Sequence, residues 1–240
     1  MTVIVSLLAI AVIGTGLLLL RPTDRLLDFV SEQLGGALLR VPTRERAIAL
    51  TFDDAPSPGL TRDILARLAA DDARATFFVI GSYAARYPES MDAIRRDGHE
   101  LANHLYTDRR SAALSDTEFV EELRMTDALL FPPRKGEVQP DRKWCRPGHG
   151  ELNRRLVRLM RADGYDPVLA TMYPLDLRLP VGLTVRHVEA NLRPGAIFVL
   201  HDGSDDRRRT LDVLDRLLPS LRSRGFRLVT LSELTRLSTR

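Results

Sequence analysis

Apolar residues along this chain fall into short runs separated by longer amphipathic stretches. From residue 46 onward, runs suited to strands are expected at 47–52, 75–80, 99–103, 143–146, 167–172, 195–201 and 226–230. Between them apolar positions recur at helical spacing, predicting helices over 60–70, 83–97, 116–130, 151–163, 184–192 and 207–224. Ser115, with Glu118 three residues on, has the pattern of a capping box at the start of one of these helices. Seven strands alternating with helices predict a parallel α/β architecture, either barrel or open sheet, because parallel neighbours need a crossover that a helix supplies.

Upstream the pattern changes. Val3 to Leu20 carries no charge and is apolar on every face, at a length near the lower end of a bilayer-spanning helix. No basic residue precedes the run and no small-residue cleavage site follows it, so an uncleaved N-terminal transmembrane anchor over 1–21 is expected. Residues 22–45 are expected to form an amphipathic juxtamembrane linker, with Leu26, Leu27, Phe29, Val30 and Leu34 followed by the breaker Gly35-Gly36. The globular domain is expected over 46–240. Arg21 and Arg25 after the run are offset by Asp24 and Asp28, so charge does not assign the side of the membrane. Residues 131–143 are expected to be a loop.

Composition adds mostly exclusions. The chain is 44% hydrophobic and 28% charged, as a foldable globular protein is, and its formal net charge is only +3. No basic stripe with interleaved aromatics marks a nucleic-acid surface, and the arginines at 207–209 are expected on a solvated face or as loop charges. One cysteine, Cys145, allows no internal disulfide; next to Arg146 on an apolar strand, it is expected to be a buried small hydrophobe. His99 is expected to be structural, at a strand end.

The chemistry gathers where the predicted strands end, which is where parallel α/β folds place their active sites. Asp53 and Asp54 close the first strand. Asn103 and His104 follow the third, with Asp108 one turn further. Arg146-Pro147-Gly148-His149-Gly150 follows the fourth, Tyr173 and Asp176 the fifth, and His201-Asp202 ends the sixth. Adjacent carboxylates such as Asp53-Asp54 repel unless a cation or basic group balances them. Asp, His and Asp are also a workable O/N ligand set for a divalent metal with an open position.

Taken in order, Thr51-Phe52-Asp53-Asp54, Asn103-His104, Arg146-Pro147-Gly148-His149-Gly150 and Leu200-His201-Asp202 resemble the polysaccharide deacetylases of carbohydrate esterase family 4, the NodB-homology domain, over about 46–235. The resemblance implies a distorted (β/α)7-type barrel and a metal-dependent hydrolase that removes acetyl groups from an acetylated carbohydrate, N-acetyl on an amino sugar foremost. It implies a bound divalent metal, zinc as a rule, with Co2+, Mn2+ or Mg2+ as alternatives. Carried over residue by residue, Asp53 resembles the catalytic base, Arg146 the residue that orients it, His201 the catalytic acid and Asp176 its positioning carboxylate. Asp54, His104 and Asp108 resemble the metal ligands. His149 stands at the oxyanion turn, and Tyr173 near the substrate.

The sequence departs from the family pattern at several points. The second metal histidine is Asp108, Leu105 follows His104, Ala55 replaces a glycine, His149 replaces an aromatic, and Tyr173-Pro174-Leu175-Asp176-Leu177 lacks an aspartate and a tryptophan. A second carboxylate would formally neutralise the divalent ion and lower its Lewis acidity. Two further readings stay open: a deacylase or deformylase of a lipid-linked sugar, which an anchor would suit, and an inactive carbohydrate-binding relative.

Overall fold

The structure, a computed structural model, describes residues 21–132 and 140–239. The expected membrane anchor and most of the expected 131–143 loop lie outside these residues. Among the described residues no helix is long and apolar enough to cross a membrane.

Nine helices and seven strands are described, in the order α1 (Asp24–Gln33), β1 (Ala47–Ala55), α2 (Leu60–Ala70), β2 (Thr76–Val79), α3 (Gly81–Arg86), α4 (Pro88–Arg96), β3 (Glu100–Asn103), α5 (Asp116–Leu130), β4 (Lys143–Cys145), α6 (Arg154–Ala162), β5 (Tyr165–Pro167), α7 (Val181–Asn191), β6 (Ile197–His201), α8 (Arg209–Ser223), β7 (Arg227–Val229) and α9 (Leu231–Arg236). All strand pairs are parallel, in the order β5-β4-β3-β2-β1-β6, and β7 pairs with the start of β1. Parallel strands covered on both faces read as continuous apolar runs, and β1 is buried at all nine positions. One apolar cluster joins Ile48, Leu50 and Phe52 of β1 to α2, α4 and α8; a second joins Ala47 and Ala49 to Trp144 and α9.

The strand expected at 167–172 is instead β5 at Tyr165–Pro167, followed by an extended stretch held by isolated bridges, Leu38 to Val168 and Met172 to Phe198. Within that stretch the Leu169 N–H donates to Leu38 O, and the Leu169 carbonyl accepts from Arg146. These partners take the groups that a β4 ladder would need. The chain then reaches β6 through the single Met172 bridge, so the barrel is distorted rather than evenly laddered.

The helix expected at 83–97 divides at Tyr87-Pro88, because proline lacks the N–H of a helix interior and suits a first-turn position. The Ser115–Glu118 capping box is present at α5. A second one, Thr230 with Glu233, starts α9, which the sequence reading did not anticipate although the T-x-x-E spacing carries the signal. Residues 22–45 carry α1, whose Leu27 packs with Ala37 and Leu39, and the Val41 N–H donates to Gly195 O.

Candidate active site

The end of β1 is irregular, and the irregularity builds the site. Phe52 pairs with Phe77 and Ala55 with Val79, so β1 holds one more residue than β2 between those pairs, the signature of a bulge. Asp54 lies in the left-handed region at φ 63°. Regular alternation would send two neighbouring side chains to opposite faces; the bulge and the turned backbone release Asp54 from it.

Asp53 and Asp54 face different partners. Asp53 Oδ1 accepts from Arg146 Nη1 at 2.6 Å. The same nitrogen donates to Thr51 Oγ1 at 2.8 Å, and Nη2 donates to Leu169 O at 2.8 Å. The guanidinium stacks 4.0 Å from the centre of the Phe78 ring and is fully buried. Asp54 Oδ1 lies 3.3 Å from His104 Nε2, while Oδ2 accepts from Arg207 Nη1 at 2.5 Å. Burial opposes the charge on Asp54, but His104, His201 and Arg207 outweigh it and hold its carboxyl well below the usual carboxylate range.

His104 is buried, with Nδ1 2.7 Å from the Arg146 carbonyl. That contact fixes Nδ1 as the donor in the neutral ring and leaves the Nε2 lone pair facing Asp54. Burial lowers the His104 pKa, but the two aspartates outweigh it and raise the value overall. The loop after His104 is secured from α5: Glu122 accepts from the Thr107 N–H at 3.0 Å and from its hydroxyl at 2.8 Å. Leu105, where the family pattern has a small hydroxyl residue, is buried with Leu114, Phe119 and Leu123.

The second dyad stands one strand away. His201 is the register partner of Asp53 across β1 and β6. Its Nδ1 lies 2.8 Å from Asp176 Oδ1, and its backbone N–H donates to Asp176 Oδ2 at 2.9 Å. Thr210 donates to the same carboxylate at 3.0 Å. Burial lowers the His201 pKa, but Asp176, aided by Asp53 and Asp54, outweighs it and raises the value. Tyr173 has a hydroxyl buried without a hydrogen-bond partner, and burial pushes its phenol up to about 12, so it remains a neutral donor.

Of the residues the sequence singled out, the structure brings together Asp53, Asp54, His104, Arg146, Asp176 and His201. It does not bring Asp108 into the Asp54–His104 pair: the Asp108 carboxylate lies 3.5 Å from His149 Nε2 and is exposed. Among the described residues, no three His, Cys, Asp or Glu side chains converge as a metal site. The expected ligand trio is thus present as a pair, because the loop turns Asp108 outward toward His149. His149 itself is half-exposed at φ 59° in the turn after β4.

Arg207 was expected on a solvated face or as a loop charge; it lies in the loop before α8 but turns inward onto Asp54, a placement that no spacing rule foretells. Thr51 and Thr210, which hold Arg146 and Asp176, were also missed. A buried threonine beside a charged residue carries no signal of its own in a sequence. Cys145 and His99 follow expectation. The thiol is buried and its pKa raised by burial; His99 Nδ1 accepts from the Ala75 N–H at 3.1 Å, and burial lowers its pKa to about 4.

The Asp54–His104 separation matches two of the donors a divalent cation needs, and among the described residues no third His, Cys, Asp or Glu joins them. Two O/N donors bound at about 2.1 Å to one tetrahedral ion stand about 3.4 Å apart, close to the separation found here. The family is generally divalent-metal dependent.

Comparison with known proteins agrees with this geometry. The chain is 35% identical over 217 residues to a peptidoglycan-N-acetylglucosamine deacetylase of Bacillus cereus, covering 85% of this chain and 95% of that protein. It is 32% identical over 201 residues to a chitooligosaccharide deacetylase of Bradyrhizobium, covering 79% and 90%. The crystal structure of a peptidoglycan N-acetylglucosamine deacetylase superposes with a TM-score of 0.77 at 25% identity, covering 89% of this chain and 98% of that one. Residues 40–168 match the family described as polysaccharide deacetylase, more than half of the chain. With the two dyads on the rim of a distorted parallel barrel, these likenesses establish that the chain belongs to the polysaccharide deacetylase family.

Proposed function

We propose that this protein hydrolyses the N-acetyl group of an amino sugar within an oligosaccharide or polysaccharide. The observation that carries the reading is the pairing of Asp53 with His201 across β1 and β6, each braced by its own buried partner, Arg146 and Asp176. A carboxylate base and an imidazolium acid on adjacent strands can serve two sides of one scissile bond. The two relatives are by name a peptidoglycan-N-acetylglucosamine deacetylase and a chitooligosaccharide deacetylase, which supports an amino-sugar substrate.

In this reading Asp53 takes a proton from the attacking water, and Arg146 keeps the carboxylate aimed and its charge balanced. His201, whose pKa Asp176 raises, is the acid that donates from Nε2 to the departing amine. The Tyr173 hydroxyl, lacking a partner of its own, donates to substrate. The turn at His149 offers a backbone N–H to the oxyanion. Asp54 Oδ1 and His104 Nε2 would hold the divalent cation, zinc by its preference for mixed O/N sets. When bound, the ion supplies Lewis acidity to the acetyl carbonyl. The inactive-relative reading is disfavoured because both dyads keep their partners.

Acetate release from chitooligosaccharides, peptidoglycan fragments, acetyl-xylan and a lipid-linked amino sugar, with defined metals, tests the proposal. Release from an N-acetylated substrate that disappears in Asp53→Asn supports it. Release only from the O-acetylated xylan, or from none, overturns it.

A further inference from the structure

Asn103 precedes His104 at the end of β3, and the family resemblance gives its side chain no role. That side chain is wholly buried, with both of its polar atoms in use. Oδ1 accepts from the Leu105 N–H at 2.8 Å, an Asx turn around His104. Nδ2 donates to the Leu123 carbonyl of α5 at 2.9 Å and to the Tyr165 hydroxyl at 3.1 Å. A donor on one side and a carbonyl on the other admit only this orientation of the amide. The Tyr165 hydroxyl donates in turn to Asp127 Oδ1, which also accepts from Lys143 Nζ at 2.8 Å.

The bond to Leu105 matters because of the conformation it holds. Leu105 lies at φ 66°, in the left-handed region that a leucine enters only when its surroundings enforce it. The Asn103 backbone grips the other side of the ring. Its carbonyl accepts from the Arg146 N–H at 3.1 Å, and the Arg146 carbonyl meets His104 Nδ1 at 2.7 Å. We infer that Asn103 is a positioning residue for the reaction: by holding the Leu105 turn, its side chain keeps His104 on the Arg146 carbonyl and aimed at Asp54.

The kinetic part of the test rests on the deacetylase reading, and the crystallographic part does not. Acetate release from chitooligosaccharides and peptidoglycan fragments is measured for the full chain, Asn103→Ala, Asn103→Asp and Tyr165→Phe, well below each melting temperature. Asn103→Ala is expected to lose about 100-fold in kcat with KM within about threefold of wild type. Asn103→Asp still accepts from Leu105 and is expected to recover to within about tenfold. Tyr165→Phe leaves the Leu105 bond in place and should stay within about threefold. In the crystal structure of Asn103→Ala, Leu105 is expected to leave the left-handed region and His104 to leave the Arg146 carbonyl. Should Asn103→Ala not fold by circular dichroism, Asn103→Leu, close to asparagine in size, takes its place in both measurements. Activity of the apolar variant within about threefold of wild type, Asn103→Asp no better than that variant, or an unmoved His104 overturns the role of Asn103. No acetate from wild type overturns the deacetylase reading, and the position of His104 then decides for or against Asn103.

Discussion

Arg146 Nη1 meets Asp53 Oδ1 at 2.6 Å with the guanidinium wholly out of solvent, where Thr51 and the Leu169 carbonyl accept its other hydrogen bonds. Removing one member leaves the other buried without compensation. Arg146→Ala is therefore expected to lose about 3–5 kcal/mol of stability by urea denaturation. Asp53→Asn still accepts from Arg146 and is expected to fold, yet to lose about 100-fold or more in kcat. Activity within about tenfold of wild type in Asp53→Asn would remove Asp53 from the role of base.

In the proposed mechanism the His201–Asp176 contact sets the alkaline limit of activity. Since Asp176 raises the His201 pKa against the pull of burial, the acid form persists to higher pH than it would without that carboxylate. Asp176→Asn should move the alkaline limb of kcat/KM to lower pH and leave the acid limb in place. A limb that does not move argues against His201 as the proton donor.

Gly203 is where space decides. At φ 91°, with Asp54 backbone within contact of any Cβ, Gly203→Ala is strained twice over. The expected cost is about 2 kcal/mol, or about 4–8 °C in melting temperature for a domain of this size. Because the displaced atoms belong to Asp54, zinc affinity should fall with stability. An unchanged melting temperature would mean that the loop relaxes freely.

Asp202 makes a contrary contribution to pH dependence. Burial raises its pKa from 3.8 to about 6, against donors at Ser57, Thr61 and Gly203. The folded chain therefore holds this proton where the unfolded chain releases it, and its contribution to stability falls as pH rises from about 4 to 6. The stability of wild type minus that of Asp202→Asn should drop by about 3 kcal/mol between pH 4 and 7. A difference independent of pH would show that the three donors, and not burial, govern this carboxyl.

Metal removal should separate the ligands. After chelation, activity is expected to return with added Zn2+ in wild type. Asp54→Asn and His104→Ala should each lose about 100-fold or more in zinc affinity. Asp108→Ala, whose carboxylate turns to His149, should lose less deacetylation than either at fixed zinc. Loss equal to that of Asp54→Asn would bring Asp108 into the ligand set.

Much of this protein was already fixed by its sequence. Alternation of apolar runs and amphipathic stretches dictates parallel strands with crossover helices, because each pattern can bury its apolar side in only one way. Position at strand ends was enough to gather Asp53, Asp54, His104, Arg146, Asp176 and His201 among the candidates, since the strands of a parallel sheet all end on one side, and the family resemblance gave them roles. What the sequence alone could not decide is which carboxylate meets which cation. Asp53 and Asp54 are neighbours with identical chemistry, and a bulge and one positive φ send the first to Arg146 and the second to His104 and Arg207. The same holds for Asp108, whose spacing suits a ligand but whose loop, tied to Glu122 through Thr107, turns it to His149. Pairings between residues 42, 93 or 153 positions apart depend on how loops return over the sheet, and only tertiary structure settles that.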